Sequence, residues 1–167
     1  MKLETERLRL EPWWPDDWRE FRPIARDPEV MRYITGGLPW TDEQVREFVD
    51  RQIRHFDGLG YCLWRLRELT GPSLIGFCGL QPLAGTDEIE IGWWLGREHW
   101  GKGYATEAAR CALADGFERG GLKRVVAIAR PDNAASRRVM VKLGMQYVGD
   151  SIHRGISVVK YAIEKAE

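Results

Sequence analysis

The chain has 167 residues and balances 25 Lys and Arg against 25 Asp and Glu, leaving no net charge with histidine neutral. That length suits one domain, 1–167, and the balance gives no electrostatic reason to expect nucleic acid or an anionic membrane as a partner. No apolar run approaches the roughly 20 residues that a bilayer span needs, and the opening MKLETERLRLEP lacks the apolar core of a signal peptide. Cys62, Cys78 and Cys111 are odd in number and widely spaced, which points away from a disulfide framework or a zinc site and towards a reducing cytoplasm. His55, His99 and His153 are equally scattered, so no metal site is expected.

Leu8 and Leu10 alternate with Arg7, Arg9 and Glu11 as a first strand. Pro15-Asp16-Asp17 opens a helix through about Ala25, its acidic residues suited to the first turn. Residues 27–40 contain Pro28, Gly36-Gly37 and Pro39 and read as an irregular connection. Thr41 and Gln44 form a capping box for a helix over 42–57, whose stripe runs Val45, Phe48, Val49, Gln52, Ile53 and Phe56 and stops at Gly58. Residues 60–67 and 73–81 are β-prone runs joined by Leu69-Thr70-Gly71-Pro72, a hairpin.

Glu88-Ile89-Glu90-Ile91 then alternates strictly, as a half-buried strand does, and passes through Trp93-Trp94-Leu95 into a loop holding Gly101 and Gly103. From Ala105 the period changes: Ala105, Ala108, Ala109, Ala112, Leu113, Gly116 and Phe117 line one face of a helix that Gly120-Gly121 ends. Arg124–Ala129 reads as another strand, and Asn133 caps a helix over 134–143 ended by Gly144. Met145–Asp150 and Ile156–Ile163 make the last two strands. Strands and helices in this order imply an α+β fold around one central sheet.

The order strand, glycine loop, helix N-terminus aims unpaired amides and the positive end of a helix dipole at one point, which suits a phosphate or pyrophosphate. Gly101-Lys102-Gly103 is not the loop of nucleotide hydrolases, because no Gly-Lys-Ser/Thr follows, nor is it the three-glycine dinucleotide fingerprint.

These residues resemble the GNAT superfamily of N-acetyltransferases, in particular its RimJ/RimL-like branch. The family's Gln/Arg-x-x-Gly-x-Gly/Ala motif reads here Glu98-His99-Trp100-Gly101-Lys102-Gly103. Glu90-Ile91-Gly92-Trp93-Trp94-Leu95, Ala105-Thr106-Glu107-Ala108, Asn133-Ala134-Ala135-Ser136, Lys142-Leu143-Gly144-Met145 and the opening Glu4–Leu10 segment are similar to that branch, in the same order. Glu98 departs from the usual Gln or Arg, and its carboxylate is expected to point away from a pyrophosphate. The resemblance implies a mixed, mostly antiparallel sheet flanked by about four helices. It also implies acetyl-CoA as cosubstrate, without a metal. Trp94, Leu95 and Gly96 would meet the pantetheine arm. The amides of His99, Gly101, Lys102, Gly103, Tyr104, Ala105 and Thr106 would surround the pyrophosphate, with the helix over 105–119 behind them, and Asn133 and Ser136 would lie near the pantetheine and sulfur.

Acetyl transfer from a thioester requires a neutral amine, a donor for the oxygen of the tetrahedral intermediate, and a way to release the thiolate. Glu90 is the candidate base, sharing a strand face with Glu88, Gly92 and Trp94. A backbone N–H near Trp94 or Leu95 would serve the oxygen. Many GNAT enzymes place an acidic tyrosine four residues after the Ser136 position; Met140 stands there, so Ser136 is the candidate to touch the sulfur, with Tyr104 and Tyr147 as weaker substitutes. The acceptor cleft is expected from about residues 22–40 and 150–157, with Tyr33, Trp40 and His153 as possible lining. None of the cysteines belongs to the matched motifs, which favours direct transfer to a protein N-terminal α-amine or a small-molecule amine. A homodimer is compatible with this reading. The rival is an acyl-CoA-binding sensor of the same fold without turnover, suggested by Glu98 and Met140 and opposed by the intact glycines and Ser136.

Overall fold

In the computed structural model, which describes Met1–Glu167, the chain forms β1 (Leu3–Glu4), β2 (Leu8–Glu11), α1 (Trp18–Ala25), α2 (Arg32–Thr35), α3 (Asp42–Leu59), β3 (Leu63–Glu68), β4 (Leu74–Pro82), β5 (Ile89–Leu95), α4 (Tyr104–Glu118), β6 (Arg124–Ala129), α5 (Ala134–Lys142), β7 (Gln146–His153) and β8 (Ile156–Glu164). Two 3-10 turns, Pro15–Asp17 and Arg97–His99, precede α1 and follow β5. The strands make one sheet in the order β1-β2-β3-β4-β5-β6-β8-β7. Every neighbouring pair is antiparallel except β5 and β6, which are parallel and paired in register only at Glu90↔Val126. Towards Leu95 the two strands therefore run on without paired residues, leaving a gap in the middle of the sheet.

Alternation assigns the two faces. Phe77 on β4 and Trp94 on β5 are cross-strand partners, and both pack against Phe21 of α1 and Phe48 of α3 with ring centroids 5.0 to 6.3 Å apart. Leu80, on the other face of β4, lies so close to Gly116 of α4 that any side chain at 116 would collide with it. α5 sits beside α4, where Arg110 donates to the Lys142 carbonyl at 3.0 Å. No helix is long and apolar enough to cross a membrane.

Besides shifts of a few residues at element ends, the elements differ from the sequence expectation in three ways. There are five helices rather than about four, because one helical turn, α2, forms within 27–40 and ends at Gly36 in the left-handed conformation (φ 77°). A two-residue strand, β1, pairs with β2 ahead of the predicted first strand. Helix α3 passes through Gly58 and stops at Gly60, where φ is 79°. Its start is as expected: Thr41 Oγ1 accepts from Gln44 N at 3.2 Å and Gln44 Oε1 accepts from Thr41 N at 2.8 Å, a box that contributes about 1 kcal/mol to such helices.

Candidate functional site

The first turn of α4 has free donors. Its N-cap is Gly103, held at φ 80° and offering no side chain, and no capping hydrogen bond reaches the helix. By contrast, α3 is capped by Thr41 and α5 by Asn133, whose Oδ1 accepts from Ser136 N at 3.2 Å. The amides of Tyr104, Ala105 and Thr106 therefore point into the space before the helix with its dipole behind them. Gly101 (φ 75°) has nothing within 4 Å of where a Cβ would stand, so the loop leaves an open cradle. The His99 amide is not part of that set, because it donates to the Gly96 carbonyl at 2.9 Å in the 3-10 turn. Lys102 is exposed, with Nζ 5.8 Å from the Tyr104 ring centre. Glu98 lies over Gly96, where a Cβ would meet its Oε1 at 3.2 Å, with its side chain 75% exposed.

An unforeseen latch holds this helix start in place. Glu107, in the first turn, accepts from Thr5 Oγ1 at 2.6 Å, from the Arg7 amide at 3.1 Å and from Arg7 Nε at 2.8 Å. Burial alone would raise its carboxyl, but the Thr5 and Arg7 hydrogen bonds outweigh burial and keep it below the ordinary range. The acid is thus neutralised by the β1–β2 connection and leaves the dipole free for another anion.

The C-terminal end of β5 meets the gap in the sheet. Gly96 N–H donates to Ile75 O at 2.9 Å, so by alternation along an antiparallel pair the amide and carbonyl of Leu95 face away from β4, towards β6. Of the two predicted donors for a tetrahedral oxygen, Leu95 is thus the one aimed into the gap. Its carbonyl accepts from the Trp100 indole at 2.9 Å. The approach of β4 to this point requires glycine at 76, because a Cβ there would stand 2.9 Å from the Leu95 Cα and collide with the Trp94 carbonyl. The Trp94 ring lies 4.8 Å from that of Trp40, centre to centre, which brings one predicted lining residue of the acceptor cleft onto the floor formed by β5.

Glu90 shares that face, two residues beyond Gly92. It is half-buried, and burial pushes its carboxyl up to about 7 against the opposing pull of a hydrogen bond from Gln81 and the nearby Arg154 charge. Gly92 leaves space beside it: a Cβ would meet Glu90 Oε1 at 3.7 Å and nothing closer. Arg154 and Gly155 form the two-residue β7–β8 turn, with φ 51° and 77°, which brings a cation to the carboxylate. Beside it, burial and then Arg154 push His153 down. Gln81 and Arg154 escaped sequence reasoning, since only the strand register and the folded hairpin bring them to Glu90.

Ser136 is half-buried on the first turn of α5 and its hydroxyl has no hydrogen-bond partner, whereas the Asn133 oxygen is spent on the cap. Met140 is buried in the main core, 1% exposed, and offers no acid. The two substitute tyrosines are engaged elsewhere. Tyr104 donates to Glu68 at 2.6 Å and Tyr147 to Asp150 at 2.7 Å, and those hydrogen bonds raise both phenols. Tyr33 offers its carbonyl to Arg130 Nε at 3.0 Å.

Comparison with known proteins gives the family of the chain. The acetyltransferase (GNAT) domain profile matches residues 7–146. The chain is 37% identical over 149 residues to the uncharacterized protein YkkB of Bacillus subtilis, covering 87% of this chain and 86% of that protein. Two relatives carry named activities. One is the FsC-acetyl coenzyme A-N(2)-transacetylase of Aspergillus fumigatus, 31% identical with 87% and 65% of the chains covered. The other is the ribosomal-protein-serine acetyltransferase of Escherichia coli, 32% identical with 62% and 58% covered. A solved GNAT acetyltransferase from Bacillus anthracis superposes with a TM-score of 0.82 at 31% identity, over 98% of each chain. With the uncapped helix, the split sheet and a profile match spanning most of its length, the chain belongs to the GNAT family of acetyl-CoA-dependent N-acetyltransferases.

Proposed function

We propose that the protein moves the acetyl group of acetyl-CoA directly to a primary amine within a ternary complex, with Glu90 as general base. The observation that carries this reading is the layout of β5. One end bears a carboxylate that burial pushes up to about 7, and the other turns the Leu95 amide away from β4, towards β6, just before the glycine loop and the uncapped start of α4. Acetyl-CoA supplies an activated acyl carbon and a thiolate leaving group. Gly101, Lys102, Gly103, Tyr104, Ala105 and Thr106 would hold its pyrophosphate through amides and dipole, and Trp94, Leu95 and Gly96 its pantetheine arm. Glu90 takes the amine proton, directly or through a water, as the nitrogen bonds to the acyl carbon. Leu95 N–H holds the oxygen of the tetrahedral intermediate, and the unpartnered Ser136 hydroxyl serves the departing sulfur.

Direct transfer is supported by the state of the thiols. Cys62 and Cys78 are buried, and burial raises Cys62, Cys78 and Cys111 alike above the ordinary thiol range, the reverse of what a nucleophilic cysteine needs. Free cysteines also suit the reducing cytoplasm we propose as its setting. The acceptor is a protein N-terminal α-amine or a small-molecule amine. One named relative acts on an N(2) nitrogen and the other on a ribosomal protein, and both classes belong in the test. Thiol release from acetyl-CoA is measured against short peptides, polyamines, amino acids and amine antibiotics. Amine-dependent release is the expected result and selects the acceptor class; saturable acetyl-CoA binding with no release for any amine overturns the proposal.

A further inference from the structure

A backbone amide sets the polarity of a buried side-chain relay that ends at Glu90. Gln52, on α3, is 0% exposed and is one of two buried polar residues in the protein. Its Oε1 accepts from the Leu63 N–H at 2.9 Å. A backbone N–H can only donate, so this contact fixes which end of the Gln52 amide is oxygen and leaves its Nε2 facing the sheet. That Nε2 donates to Gln81 Oε1 at 3.1 Å. With its oxygen so occupied, Gln81 has its own NH₂ group left for β5, where Glu90 is its direct cross-strand partner and is held down by a hydrogen bond from Gln81 against the opposing effect of burial. Each amide passes on a donor, and the last one meets a group that, when ionised, can only accept.

We propose that Gln52 and Gln81 are positioning residues for Glu90, presenting a fixed N–H donor that holds its carboxylate in one orientation and favours the ionised form. This rests on the reading of Glu90 as the base. The relay answers a conflict in the site, since a carboxylate half-buried beside apolar walls is driven towards the protonated form, in which it accepts no proton from an amine. The other charged groups on this side of the sheet come from several elements. Arg154 approaches from the β7–β8 turn, and Arg51 of α3 lies near Arg154. On its own strand side Glu88 is engaged by Lys160 of β8 and lies 4.0 Å from Arg124 of β6. Arg154 is the charge that acts on Glu90, and it belongs to a two-residue turn, whereas the Gln81 donor is anchored through Gln52 to the backbone of β3.

The test is a ¹³C NMR titration of protein labelled at glutamate side-chain carboxyls, with the Glu90 resonance assigned by its loss in Glu90→Gln. Gln81→Met, neutral and similar in size, is expected to raise the Glu90 midpoint by about one pH unit, the size of a hydrogen bond to a charged group. Gln52→Met is expected to raise it similarly, because Gln81 is then free to turn its oxygen towards Glu90. The double variant should move it no further than Gln81→Met alone. If Gln52→Met unfolds because the Leu63 N–H has lost its acceptor, Gln81→Met carries the test. A merely structural role would lower the melting temperature and leave the midpoint in place, and an unmoved midpoint in Gln81→Met overturns the proposal. Failure of the underlying reading looks different: Glu90→Gln would then keep the acid limb of the wild-type pH–rate profile.

Discussion

Glu90 carries the sharpest chemical consequence at the scale of single residues. An amine attacks only when neutral, so its proton must go to a group that is ionised at working pH yet basic enough to accept it. A carboxylate at its ordinary value is a poor base; one pushed up to about 7 by burial is close to the useful range. Activity governed by it should rise as pH increases through about 7, because the base works only after losing its own proton. We therefore expect kcat/KM to climb about tenfold per pH unit below that midpoint and to level off above it. In Glu90→Gln the limb should vanish and kcat/KM at pH 8 should fall by roughly 10²- to 10³-fold. Steady-state kinetics from pH 5.5 to 9 decide this, and an unchanged limb would place the base elsewhere. At the sulfur side, the same residue-level comparison separates Ser136, whose hydroxyl is free, from Tyr104 and Tyr147, whose hydroxyls are held by Glu68 and Asp150.

Among the elements, α4 starts without a capping side chain, unlike α3 and α5. A substitution at its N-cap can fail for two reasons, backbone strain at φ 80° or blockage of the amides, and two variants separate them. A Cβ at 103 would stand 3.5 Å from the Arg7 guanidinium, an ordinary contact, so Gly103→Ala adds only the left-handed strain of about 1 kcal/mol. Gly103→Glu adds a negative charge where the dipole and amides favour an anion. Calorimetric titration with acetyl-CoA should show Gly103→Ala weakening binding less than tenfold and Gly103→Glu at least 100-fold. Equal losses in the two would mean that the helix start is not the pyrophosphate site.

This element, like α3, β5 and α5, was legible in the sequence because each runs long enough to show its period and carries its own stop or cap signal. α2 and β1, with four and two residues, are too short to show any period. The site was legible only in part. The alternation that puts Glu90 and Trp94 on one face can be read from spacing, and so can the glycine loop. Gln52 reads as one more member of the α3 stripe, and its use appears only with Leu63 and Gln81, which lie 11 and 29 residues away. The one discordant feature was a glutamine at an apolar position, and a buried polar residue needs a partner.

For the molecule as a whole, the proposed base is a liability to the fold. Burial raises the Glu90 carboxyl from its ordinary 4.5 to about 7, so the folded protein prefers it protonated and is penalised when it ionises. Below pH 4.5 both the folded and unfolded chains hold this proton and nothing is lost. Between there and about 7 the unfolded chain sheds the proton while the fold retains it, so stability falls as pH rises. Above about 7 both states are ionised and the full penalty stands, at most about 3 kcal/mol for a shift of this size. Glu90→Gln keeps the shape of the protonated acid and cannot ionise. Its urea midpoint should match that of wild type near pH 5 and exceed it by a margin that grows to pH 7.5 and then stays constant. A margin independent of pH would show that Glu90 titrates normally in the fold. A margin that grows as predicted, in a variant that has also lost activity, would show that stability was given up at the position where the chemistry needs a tuned carboxylate.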